Sequence, residues 1–259
     1  MKKTGSPYQM KSTFIKASKW VLESVYLVKH SFKISLFFGM LYLTLYMILP
    51  AIPGMQSLGL FAVFIWPFIT IYIIFYYQKL SQEEAFDSQK PLEIIKPKIP
   101  DILRVGLFSF IYAVILSGLI GADIASLIEL SKGTPDYNFM LDDFSGIIYK
   151  IIVMAIPFMM MTWFAPLLIA FKGYGFFKAI KSSFAACLMF FVPITLGLII
   201  IFLCFLCSML LISFAFAFIG SSTSGFISLI LSFALIIAMA AFMSLTFAMQ
   251  CVTFKEIFK

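Results

Sequence analysis

Residues 189–219 read MFFVPITLGLIIIFLCFLCSMLLISFAFAFI, without one Asp, Glu, Lys, Arg or His. A helix rises about 1.5 Å per residue, and about 20 apolar residues cross the hydrocarbon core of a bilayer. This run is longer than that. It either tilts or begins as an interfacial segment ahead of Pro193. Reading outward, similar apolar runs fall at about 34–53, 56–78, 105–128, 147–171 and 226–252. No alternating barrel-strand pattern accompanies them, so continuous helix is the expected way to satisfy the backbone in lipid. The expected fold is an all-α integral membrane protein with about six transmembrane helices.

Composition agrees. The 259 residues are 62% hydrophobic and 12% charged, with 32 Phe, and the mean hydropathy is +1.05. A soluble domain carries roughly a quarter charged residues, so too little polar surface is left to cover a globule in water. A soluble enzyme, a disordered chain and a secreted disulfide scaffold are excluded. Cys187, Cys204, Cys207 and Cys251 lie in or beside apolar runs and read as soft packing residues. Phe and Leu fill the Cys204–Cys207 spacing, with no basic neighbour to lower a thiol pKa.

Charge sets the orientation. Lys2, Lys3, Lys11, Lys16, Lys19, Lys29 and Lys33 precede the first run, and Lys79, Lys90, Lys96, Lys98 and Arg104 flank the loop after the second. Lys172, Lys178 and Lys181 follow the fourth run, and Lys255 and Lys259 end the chain. Only Lys132 and Lys150 of the 19 basic residues fall on the other side. Positive residues mark the cytoplasmic face, so both termini are expected in the cytoplasm. No cleavable signal peptide precedes the first run. The net charge of +7 is met by anionic headgroups at the cytoplasmic surface, without any nucleic-acid partner.

Residues 1–33 are expected to form a cytoplasmic arm with an amphipathic helix, and 34–259 a single polytopic domain. Phe14, Ala17, Val21, Val25, Val28 and Phe32 recur at helical spacing, with Lys16, Lys19, Glu23, His30 and Lys33 opposite and Trp20 on the flank. This reads as an elbow lying in the membrane interface with Trp20 at headgroup depth, or as a docking surface. Lys178-Ala-Ile-Lys181 before the fifth run echoes Lys16-Ala-Ser-Lys19 before the first, and 97–108 offers a degraded middle copy. Three elbow-plus-hairpin units follow. Lys16, Lys19, Trp20, Lys178 and Lys181 are the expected lipid or partner contacts.

Ala113, Ser117, Gly121 and Ala125 form a small-residue ladder on one helix face, as do Ala240, Ser244 and Ala248. Such ladders let helices approach closely in lipid. Pro67, Pro157, Pro166 and Pro193 are the expected kinks. Ionisable residues are missing from the middle of the runs, which argues against a proton-coupled pump. Consecutive Met159, Met160 and Met161 point about 100° apart and cannot converge on one ion. No phosphate loop, nucleophile elbow or zinc motif is present, and no catalytic residue, cofactor or metal is expected.

The stretch 163–193, WFAPLLIAFKGYGFFKAIKSSFAACLMFFVP, resembles the return helix, elbow and following span of uncharacterised bacterial six-span inner-membrane proteins. These are loosely similar to the membrane domain of some glycerophosphodiester phosphodiesterases. Pro166, Gly173, Ala179, Ser183, Cys187 and Pro193 carry the resemblance, with Trp66-Pro67-Phe68 fitting the second span. It implies a bacterial inner-membrane location and cytoplasmic termini, and it brings no catalytic residues.

The leading expectation is a non-enzymatic accessory or scaffold subunit acting by protein and lipid binding. A carrier or lipid-handling transporter built on kinked spans two and four is the alternative. A lipid-modifying enzyme ranks third; it would have to use Asp123, Glu129, Asp136, Asp142 and Asp143.

Overall fold

A computed structural model describes the backbone of residues 7–84, 86–87, 89–130, 137–219 and 225–259. Within these, side chains are described except at 7–12, 56, 122, 124–130, 137–144, 217–219 and 225–228. The described residues are all helical apart from turns and loops, with no strand among them.

The helices are α1 (Pro7–His30), α2 (Phe32–Leu43), α3 (Gln56–Leu80), α4 (Gln89–Ile95), α5 (Ile99–Leu130), α6 (Tyr137–Thr162), α7 (Ala165–Lys172), α8 (Phe176–Met189), α9 (Phe191–Ile219) and α10 (Gly225–Ile257). A π-helical turn, Thr44–Ile48, carries α2 on to Ala51. Six stretches of described residues are long and apolar enough to cross a membrane: Phe32–Ala51, Ser57–Leu80, Gln89–Gly121, Ser145–Lys172, Phe191–Phe216 and Leu229–Ile257. They fall within a few residues of the expected runs at most ends. The third starts well before 105, because Pro91, Pro97 and Pro100 each stand in an opening turn. A missing N–H costs nothing there, so α4, a 3-10 turn and α5 follow one another almost without interruption.

The chain forms two compact units. The first comprises 1–59, 70–91 and 189–259, where α10 packs on α1, α2 and α9, and α1 also packs on α9. Gly39 sets the closest approach, since a Cβ there would lie 1.9 Å from the Ala240 carbonyl oxygen. Beside it Ser244 donates to the backbone oxygen of Ser35, and Tyr77 donates to Ser35 Oγ at 2.9 Å. Ser35 and Ser244 are fully buried. A hydroxyl without a partner costs about 1–3 kcal/mol in such a place, and here each has one.

The second unit comprises 60–69 and 92–188. In it α5 packs on α6 and α7. Tyr112 stacks on Phe158 at 4.2 Å and donates to the Met154 carbonyl at 2.5 Å. The helical path after α6 breaks at Trp163–Phe164, where Pro166 cannot supply the next amide hydrogen. Ser183 of α8 closes the gap: it accepts from the Phe164 amide at 3.0 Å and donates to the Met160 carbonyl at 2.8 Å. The α7 helix then stops at Gly173, whose φ of 66° is the left-handed cap that glycine adopts freely.

Proline acts differently at the four expected kinks. The helices run unbroken through buried Pro67 and exposed Pro157. The interruptions come at Pro166 and just ahead of Pro193, which opens α9. Segment 189–219 therefore does not cross as one helix: it divides at Phe190.

Candidate functional site

The expected elbow residues of α1 separate in space. Ala17 and Trp20 are fully buried, with Val21, Ser24, Leu27 and Val28 close behind. They follow helical spacing and face α9 and α10. Phe14, Val25 and Phe32, assigned to the same apolar stripe from sequence, are instead exposed, together with Ile15, Leu22 and Tyr26. The helix has two apolar faces, one inside its unit and one outside.

Trp20 is the clearest correction. It does not lie at the flank; its indole Nε1 donates to Glu256 Oε2 at 2.6 Å. Lys16 is drawn in as well, its Nζ 3.4 Å from Glu256 Oε1. The same ammonium sits 5.3 Å from the Trp20 ring centroid and 4.7 Å from that of Phe190. Burying the indole requires an acceptor for its N–H, and the carboxylate supplies it while the lysine balances its charge. Sequence reading missed Glu256. The signal available was an acid next to the last residue of an otherwise acid-free apolar helix.

Lys19 remains exposed, 3.7 Å from Glu23. In α8, Lys178 lies 4.1 Å from the Tyr174 ring and Lys181 is exposed. The buried face of α8 is Ala179, Ser183, Ala186 and Cys187. Burial, tempered by a hydrogen bond with Ser183, pushes the Cys187 thiol up to about 12.

The two small-residue ladders also differ. Ala240, Ser244 and Ala248 are fully buried and face inward. Ala113 is half-buried, while Ser117 and Gly121 are exposed, and a Cβ at Gly121 would meet nothing within 4 Å. Ala125 lies outside the described side chains, as do Glu129, Asp136, Asp142 and Asp143. Asp123 is described and takes Lys150 at 2.9 Å.

At Glu256 the first unit opens into a cleft of about 460 Å³. Lys19, Glu23 and Tyr26 of α1 line it, together with Glu256, Lys255 and Lys259 at and beyond the end of α10. Ser81, just past α3, also lines it and receives a hydrogen bond from Lys255 at 2.7 Å. Leu27 and Val252 add apolar lining.

The six apolar helices and this architecture define a multipass helical membrane protein. No protein-family model, curated protein or solved structure matches the chain.

Proposed function

We propose that this is a non-enzymatic accessory or scaffold subunit of a bacterial inner membrane, acting by protein and lipid binding. The observation that carries this reading is the two-faced α1. One face is locked into the bundle through Trp20, while Phe14, Ile15, Leu22, Val25 and Tyr26 project outward beside exposed Lys19 and Lys29. A helix anchored by one face, with apolar residues and lysines on the other, suits the cytoplasmic headgroup layer. The exposed Phe177 and Met189 of α8, beside Lys178 and Lys181, repeat the pattern.

In this reading α1, the 97–108 stretch and α8 are interfacial elbows, each leading into a hairpin of spans. Both termini lie in the cytoplasm, in keeping with 17 of 19 basic residues on one side. Residues 34–259 then form one polytopic membrane domain, reached through the arm at 1–33. The small outward face of Ala113, Ser117 and Gly121 offers a second subunit a close approach.

Native mass spectrometry of the tagged protein, extracted from its own membranes in lipid nanodiscs, tests the reading. A stoichiometric protein companion is expected, lost on Lys19→Glu combined with Lys178→Glu. A lone chain in both preparations would overturn it. Lys16→Glu is the wrong probe, because it sets a second carboxylate against Glu256 and disturbs the fold itself.

A further inference from the structure

We infer that the cleft between α1 and the end of α10 is a binding site for a phosphate group, the chemistry shared by a phospholipid headgroup and a soluble phosphate ester. The inference rests on the preceding reading only in placing this end of the first unit at headgroup depth. Its basis is the charge and shape of the cleft.

Lys19, Lys255 and Lys259 face two carboxylates, Glu23 and Glu256. Glu256 is already committed: the Trp20 indole and the Lys16 ammonium hold its two oxygens. Its charge is therefore spent on the fold. Glu23 pairs with Lys19 at 3.7 Å, on an exposed surface where such pairs are weak. That leaves Lys255, in the last turn of α10, and Lys259, two residues past its end, both lining the cleft and neither in an ion pair with a carboxylate among the described residues. The C-terminal carbonyls of α10 oppose an anion with only about half a charge. Two ammonium groups outweigh them.

The neutral lining fits the same ligand. Tyr26 brings a hydroxyl that can donate to a phosphate oxygen, while Ser81, whose own hydroxyl donates to the Gln78 carbonyl at 2.7 Å, accepts from Lys255 and holds that ammonium at the cleft. Leu27 and Val252 supply apolar lining that a glycerol or acyl stem can contact. At about 460 Å³ the cleft lies within the roughly 300–1,000 Å³ of small-ligand sites.

The experiment is native mass spectrometry of the full chain in nanodiscs doped with phosphatidylglycerol, or with diacylglycerol of the same chains as the phosphate-free control. A one-to-one phosphatidylglycerol adduct is expected, retained at least fivefold better than diacylglycerol. Lys255→Gln with Lys259→Gln should abolish that preference, while Lys150→Gln in the other unit should leave it intact. Equal retention of both lipids, or an adduct indifferent to the paired substitution, would overturn the site. Adding millimolar inorganic phosphate separates the sources. Displacement of the adduct assigns the site to soluble phosphates, and persistence assigns it to the headgroup. A lipid adduct and a protein companion differ widely in mass, so this result stands or falls apart from the accessory-subunit reading.

Discussion

Trp20 and Glu256, separated by 236 positions in the chain, meet through a 2.6 Å hydrogen bond that fixes α1 on the end of α10. The indole is fully buried, so its N–H has no access to water if the carboxylate is removed. Truncating Trp20 to Ala should cost about 3–5 kcal/mol through the lost volume. Glu256→Ala should cost about 1–3 kcal/mol, the usual penalty for a buried donor left unpaired. Glu256→Gln keeps an acceptor and loses only a half-exposed ion pair, so its effect should stay under about 1 kcal/mol. Thermal scans followed by size exclusion in detergent would rank them. A Gln variant as unstable as the Ala variant would show that charge, rather than the indole bond, holds the helix.

The contact between α2 and α10 yields a sharper contrast. Gly39→Ala places a methyl 1.9 Å from the backbone oxygen of Ala240, where no side chain can move aside. The helices must separate, which also strains the Ser244 to Ser35 bond. Overpacking of this kind costs about 1–3 kcal/mol or more. Gly118→Ala, with nothing within 4 Å of its Cβ, should be neutral or slightly stabilising through helix propensity. Equal melting shifts for the two variants would refute the close packing.

Ser183 should be critical to the α6–α7 break. Its removal as Ser183→Ala strands both the Phe164 amide and the Met160 carbonyl, at about 1–3 kcal/mol for each buried group left unpaired. Hydrogen exchange gives the specific readout. The Phe164 amide is expected to exchange at least tenfold faster, with the amides of α10 unchanged. A uniform change across both units would point to general destabilisation instead.

These contacts mark the boundary of what could be read from residues alone. Hydropathy located six spans, because a bilayer filters by length and apolarity and both are written locally. The packing sense of α1 was beyond it. Periodicity grouped Phe14, Val25 and Phe32 with Ala17 and Val21, but it cannot tell a lipid-facing stripe from a bundle-facing one when both are apolar. The fold chose the smaller residues for the inside, together with Trp20, because an acceptor stood ready at Glu256. That pairing is invisible at a separation of 236 positions. The ladders show the same limit: identical spacing, yet Ala240 and Ser244 are buried while Ser117 and Gly121 are exposed. The resemblance named Pro166, Gly173, Ala179, Ser183, Cys187 and Pro193 without a physical role for any of them. In the structure Pro166 stands at a helix break, Gly173 is a left-handed cap, and Ala179, Ser183 and Cys187 share the buried face of α8, from which Ser183 reaches the break.

Cys187 provides a pH test of that same face. Burial in the α8 interface raises its thiol from the usual 9.0 to about 12, so the folded protein favours the neutral form. The thiolate is the reactive species, and between pH 7 and 9 the folded chain should hold almost none of it. Labelling by a maleimide should therefore be slow at Cys187 over this range, rise steeply only toward pH 12, and become complete on denaturation. The linkage has a definite sign. The native state binds the proton more tightly than the unfolded one, so this contribution to stability is full below pH 9 and is lost as the pH rises through about 12. Ser183→Ala leaves in place the burial that chiefly raises the thiol, so labelling at pH 8 should stay as slow. If labelling instead rises in that variant at pH 8, the α8 face has opened, and exposure rather than ionisation governs the thiol.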